Sequence, residues 1–153
     1  MEDRLFRDAM GRFATGITIV TMDDEGQDRG MTVNAFMSIS LEPKLIAISI
    51  DHTASMYEKL MKADTFGVSV LKDNQQDYSM IFARQKEADG PIPFEYLDGV
   101  PVIENSLAAL SCKVYKKVEA GDHTIILGEV TKLKIESGEP VIFFGGKYRN
   151  LHS

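Results

Sequence analysis

A chain of 153 residues suits one domain around one core, and 44% apolar with 26% charged residues is the balance of a soluble globular protein. A net charge of −6, with both signs mixed along the chain, speaks against a nucleic-acid protein, which needs a basic face. The single cysteine, Cys112, excludes a disulfide framework or a cysteine-rich zinc site within one chain.

The first residues, "MEDRLFRDAM", are charged and lack an apolar signal core, and no apolar run reaches the length of a membrane span. The expectation is a cytoplasmic, soluble protein with no membrane partner. Leu5, Phe6, Ala9, Met10 and Phe13 recur at helical spacing and predict a short amphipathic helix. "TGITIVTM" is rich in β-branched residues and reads as a strand. The polar turn "DDEGQDRG" links it, as a hairpin, to a strand containing "GMTVNAFMSIS", Gly30 to Ser40. "PKLIAISID" reads as a buried strand. "TASMYEKLMKA" reads as a helix capped by Thr53 or Ser55, with Met56, Tyr57, Leu60 and Met61 on one face.

"TFGVSVLK" is a strand with Phe66, Val68 and Val70 inward, and "NQQDYSMIFARQ" a helix with Tyr78, Ile81 and Phe82 as its apolar face. "KEADGPIPFEYLDGVPVIE" reads as a surface loop with short extended pieces. Two long alternating segments, "ALSCKVYKKVEA" and "HTIILGEVTKLKIE", meet at Gly121-Asp122, with Cys112 a small core residue between Leu110 and Val114. "PVIFFGGKYRNL" is a final strand with a glycine break. The count is about seven strands, joined mostly as hairpins and not alternating with helices. The expected fold is mainly β: a closed or nearly closed antiparallel barrel with a few short helices, forming a single domain over residues 1–153.

Several chemistries lack their motifs. No G-x-G-x-x-G follows a strand, "GGK" lacks P-loop spacing, and there is no G-x-S-x-G elbow. His52, His123 and His152 are scattered without metal-ligand spacing, so no metal site is expected.

Five stretches remain, each with a plain structural reading beside a functional one. In "GMTVNAFMSIS", Thr32 and Asn34 are two apart and project to one face of the expected strand. This is either a solvated strand face or, because Asn is depleted in strands and Pro43 breaks the pairing, a stretch of short polar groups wrapping a ligand. In "DHTAS", Asp51 to Ser55, the hydroxyls either cap a helix or help its N-terminus receive a phosphate. Asp122 and His123 in "AGDHTI" either make a turn or place an imidazole at a pocket. In "GGKYR", Gly145 and Gly146 read as a bulge, and Tyr148 and Arg149 either fray or close over a ligand. Arg84 and Lys86 in "FARQK" are either helix-end surface charge or a phosphate partner.

The ordered set "GMTVNAFMSISLEP", "FGVSVLKDNQ", "GDHTIILGEV" and "PVIFFGGKYRNL" resembles the flavin reductase-like, FMN-binding split-barrel family, over nearly the whole chain. It is most similar to short-chain reductase components of two-component phenol and 4-hydroxyphenylacetate monooxygenases. The resemblance implies a homodimeric split barrel that binds FAD or FMN, takes hydride from NADH or NADPH, and passes reduced flavin to a separate monooxygenase component. Absence of a basic cluster for a 2′-phosphate favours NADH. Thr32, Val33, Asn34, Ala35, Ser38, Ile39 and Ser40 are implied flavin contacts, and Asp51, His52, Thr53 and Ser55 lie in a segment implied to run along the flavin. Arg84 or Lys86 is implied for the flavin phosphate; Gly121, Asp122 and His123, with Tyr148, for the nicotinamide side. Gly145 and Gly146 depart from relatives, which often carry a bulkier or basic residue nearby. The other readings are a ferric reductase working through flavin, a non-enzymatic flavin-binding protein, and a ligand-free β-barrel interaction module.

Overall fold

The β-branched run after Gly16 becomes β1 (Thr18–Asp24), buried over its first five residues. In the computed structural model, which describes residues 1–152, β1 turns back on itself through Glu25 and Gly26, both at positive φ, into β2 (Gln27–Val33). The other strands of the main sheet are β3 (Phe36–Ser40), β4 (Leu45–Asp51), β5 (Thr65–Val70), β8 (Ala108–Ala120) and β9 (His123–Ile135). All seven pair antiparallel in the order β2-β1-β5-β8-β9-β4-β3. The long hairpin of β8 and β9 turns on Gly121-Asp122, as its sequence predicts.

Four further strands form two small hairpins where the sequence suggests a loop and a single broken strand. β6 (Phe94–Leu97) and β7 (Val100–Ile103) turn on Asp98 and Gly99, both at positive φ. β7 is fully buried and lies against β5, closely enough that a Cβ on Gly67 would collide with the Pro101 carbonyl oxygen. Prolines and turn residues hide this strand, since its apolar run is only four residues long. β10 (Ile142–Phe144) and β11 (Lys147–Arg149) turn on Gly145 and Gly146, at φ 61° and 75°. The glycine pair is thus a hairpin turn and not a bulge.

The stretch from Gly30 to Ser40 divides in two. Asn34 and Ala35 leave the ladder: the Phe36 N–H donates to the Asn34 carbonyl at 3.0 Å, and the Ser49 N–H of β4 donates to the Ala35 carbonyl at 3.1 Å. Asn34 therefore does not share a strand face with Thr32. The link joins β2 and β3, which are the two edges of the sheet.

The helices are α1 (Asp3–Met10), α2 (Tyr57–Lys62) and α3 (Gln76–Phe82). Leu5, Phe6 and Met10 stand exposed on α1, and Phe13 falls beyond its end. α2 begins two residues after Ser55, so neither Thr53 nor Ser55 caps it. Thr53 instead donates its N–H and its hydroxyl to Asp51 Oδ1, each at 2.8 Å, a local turn that competes with an earlier helix start. The core gathers Phe66, Ile48, Ile50, Ile126 and Leu60, with Cys112 among them.

Burial pushes the Cys112 thiol from an ordinary value of 9.0 up to about 12. The folded state keeps this proton to higher pH than the unfolded chain does. The stabilisation is complete below about pH 9 and declines as pH rises toward 12, by about 1.4 kcal/mol per pH unit. Urea midpoints between pH 8 and 10.5 are expected to fall more steeply for the wild type than for Cys112→Ala. Parallel falls would remove the thiol as the cause.

Candidate functional site

Two adjoining cavities open between β2, α3 and the β10–β11 hairpin, sharing Thr32 and Ala83 as common wall. The first, of about 480 Å³, is bounded by β2 from Gln27 to Thr32, by Ala54 to Met56, and by the end of α3. β2 comes close to α3 because position 30 is glycine; a Cβ there would lie 2.9 Å from the Phe82 ring. α3 closes with the Arg84 N–H donating to the Ile81 carbonyl (3.0 Å) and the Gln85 N–H to the Met80 carbonyl (2.9 Å). That closure puts Arg84 at φ 62°, a conformation usually given to glycine at a helix end. Its residue lines the first cavity with Ser55, and among the described residues its guanidinium has no acidic partner. Lys86, the other candidate cation, is paired with Asp77 at 3.2 Å.

The second cavity, about 300 Å³, is lined by Thr32, Asn34, Gln85, Gly146 and Tyr148 among others. Thr32 Oγ1 donates to the Ser79 carbonyl at 2.6 Å, so its lone pairs, not its proton, remain for a ligand. Ser79 is buried and its hydroxyl lies 2.9 Å from that of Tyr148. The Tyr148 ring meets Phe143 edge-on at 5.5 Å. Tyr148 is thus a fixed wall. Arg149 lies over the Phe144 ring and does not line either cavity.

A second cluster forms where β4 ends beside the β8–β9 turn. Asp51 is the ladder partner of His123, and the His52 N–H donates to the Asp122 carbonyl at 3.0 Å. His123 Nδ1 lies 2.8 Å from Asp122 Oδ1, which fixes the proton on Nδ1 and leaves Nε2 for another partner. Asp51 is held below the usual carboxylate range by the Thr53 N–H first, then the Thr53 hydroxyl, with the charges of His123 and His52 adding to it. Gly121, at φ 65°, makes the turn.

The fold therefore brings Thr32, Asn34, Ser55, Arg84 and Tyr148 around the paired cavities. It brings Asp51, His52, Thr53, Gly121, Asp122 and His123 to the second cluster, and the segment from Asp51 to Ser55 reaches from one to the other. Ser38, Ile39 and Ser40 sit on the edge strand β3, where the register slips between Ser38 and Ser40, and line neither cavity. The Val33 side chain is in the core, and Ala35 is engaged through its carbonyl. The sequence reading missed Ser79 and Gln85. A serine inside the apolar face of α3 was the available signal for the first; nothing local marked the second. Among the described residues no cluster of His, Cys, Asp or Glu could hold a metal ion, and no helix is long and apolar enough to cross a membrane.

A cavity lined by Ser55 and by Arg84, which has no acidic partner among the described residues, suits a phosphate. A neighbouring slot with amide, hydroxyl and aromatic walls suits a flat, polar-edged ring. The residues thus fit a flavin nucleotide by the chemistry of the donor set.

Residues 10–152 match the model for the flavin reductase like domain. The chain is 40% identical over 148 residues to an NADH-dependent flavin reductase of Rhodococcus, covering 95% of this chain and 84% of that protein. It is 38% identical over 148 residues to the reductase component of 4-hydroxyphenylacetate 3-monooxygenase of Thermus thermophilus, covering 95% of each. Among solved structures, the flavin reductase PheA2 superposes with a TM-score of 0.97 at 49% identity, over 100% of both chains.

Proposed function

The chain belongs to the flavin reductase-like family, and from that premise we propose that it is an NADH-dependent flavin reductase supplying reduced FAD or FMN to a separate monooxygenase component. The observation that carries this reading beyond family membership is Arg84. An arginine in a left-handed conformation, without an acidic partner among the described residues, lines a cavity with Ser55 that continues past Thr32 into the slot of Asn34 and Tyr148.

The bound flavin and nicotinamide supply the hydride chemistry, from nicotinamide C4 to flavin N5. The chain's part is placement. Arg84 and Ser55 would hold the phosphate end. Thr32 and Asn34 would meet the polar edges of the ring, against the Tyr148 wall that Ser79 and Phe143 fix. His123, its Nδ1 proton held by Asp122, presents Nε2 to the nicotinamide carboxamide and so orients that ring. Alignment of this kind accounts for most of what such a site must provide.

The sheet edges β2 and β3, joined through Asn34 and Ala35, form the seam of a split barrel. The exposed apolar residues Leu5, Phe6, Met10 and Phe13 are covered in a homodimer. The protein works in the cytoplasm.

Anaerobic stopped-flow mixing of protein and flavin with NADH tests the activity. Bleaching of the oxidised flavin band that requires the protein is expected, with FAD and FMN compared in parallel. Tight flavin binding without bleaching by NADH or NADPH would leave a flavin-binding protein and sink the reductase.

A further inference from the structure

Behind the His123 turn lies a group of side chains with no part in the reading above. Thr124, next to His123, is fully buried, and its hydroxyl has three side-chain partners. It donates to Glu119 Oε1 at 2.8 Å, meets the Tyr57 hydroxyl at 2.8 Å, and lies 3.1 Å from His52 Nε2. A hydroxyl has one proton and two lone pairs, so with its proton given to Glu119 it accepts from the Tyr57 hydroxyl and shares the single Nε2 proton of His52 with Glu119. His52 Nε2 also reaches Glu119 Oε2 at 2.9 Å, and its ring packs edge-on to Tyr57 at 5.0 Å. The Glu119 carboxylate is held below its ordinary range, by the Thr124 hydroxyl first and more weakly by His52.

These four residues come from β8, β9, the β4–α2 link and α2. The link and the β8–β9 turn are otherwise tied by the Asp51–His123 ladder pair and by the bond from the His52 N–H to the Asp122 carbonyl. Resting on the reductase reading, we propose that Thr124 is a positioning residue for hydride transfer. Its hydroxyl gathers Glu119, His52 and Tyr57 into a clamp that fixes the Asp122–His123 turn relative to the segment leading to Ser55. The clamp acts through His123 and touches no reacting atom. His52 then belongs to the support of the site and not to its ligand contacts. A turn free to shift by about an ångström would misalign the nicotinamide, a displacement that can cost up to about 100-fold in rate.

The test compares Thr124→Val, which removes the hydroxyl and keeps the shape, with Thr124→Ser, which restores it. Three quantities are read: the anaerobic reduction rate at saturating NADH, the NADH concentration for half-saturation, and flavin affinity by fluorescence quenching. Thr124→Val is expected to slow reduction about 10-fold while flavin affinity stays within about 2-fold, and Thr124→Ser to recover most of the rate. A folded Thr124→Val that reduces flavin at the wild-type rate would overturn the clamp, as would a Thr124→Ser as slow as the valine. Should the valine variant not fold, Tyr57→Phe and Glu119→Ala decide: slowing in both with flavin affinity kept supports the clamp, and wild-type rates overturn it. A wild-type protein that binds flavin yet does not reduce it would instead remove the reductase reading beneath the proposal.

Discussion

His123→Ala is expected to slow reduction of bound flavin by NADH about 100-fold, to raise the NADH concentration for half-saturation, and to leave flavin affinity within about 2-fold. Gly121 takes the left-handed conformation that lets β8 and β9 meet in two residues, so His123 begins β9 directly beside the end of β4. Its imidazole is about two-fifths exposed, and its Nδ1 faces the Asp122 carboxylate at 2.8 Å. The free Nε2 is a polar group at an open position, able to meet an incoming carboxamide. None of the residues lining the flavin-sized cavities is His123, so its loss should spare the flavin. Asp122→Asn should give a smaller loss in the same direction, because an amide holds the tautomer less firmly than a carboxylate does. Anaerobic single-turnover reduction over a range of NADH concentrations separates the two effects. Unchanged reduction kinetics in His123→Ala would take the residue out of the site.

How legible this was in the sequence depended on the length of the pattern. The 13-residue strands β8 and β9 and the buried β4 announce themselves through many alternations, and their tight turn through Gly121. β7 does not, since four residues including a proline carry no period, and only its burial against β5 makes it a strand. The stretch from Gly30 to Ser40 reads as one strand because Asn34 and Ala35 leave the ladder for tertiary reasons, a carbonyl bonded to Ser49 across the sheet, that no local propensity encodes. The start of α2 is misplaced for the opposite reason. Thr53 and Ser55 are good capping residues, and a competing local bond to Asp51 takes Thr53.

The site shows the same division. Motif order places Thr32, Asn34, Ser55 and Arg84 as candidates, but their meeting across β2, the β4–α2 link and α3 is a property of the fold. Choosing between Arg84 and Lys86 needed the geometry: one lines the cavity, and the other is occupied by Asp77. Ser79 and Thr124 stayed hidden because a buried hydroxyl among apolar neighbours has no periodic signature. Each becomes visible only through its partners.

Arg84→Ala is expected to weaken FAD and FMN binding by about 10- to 100-fold, the equivalent of losing charge-assisted bonds worth about 1.5–3 kcal/mol. Riboflavin, which lacks the phosphate, should bind the wild type and the variant alike. The backbone makes a sharper form of this prediction available. At φ 62° a side chain costs of order 1 kcal/mol that glycine does not, so Arg84→Gly should be slightly more stable to heat than the wild type while losing the same flavin affinity. Stability and binding then move in opposite directions at one position, which a general loss of structure cannot produce. Lys86→Ala serves as the contrast, since its ammonium is already paired with Asp77 and its removal should leave flavin affinity within about 2-fold. Fluorescence titrations with FMN and riboflavin, beside thermal melts of the three variants, read all of these at once. An Arg84→Gly protein that binds FMN as the wild type does would mean that the left-handed arginine answers to the helix end alone, and the phosphate would have to be held elsewhere.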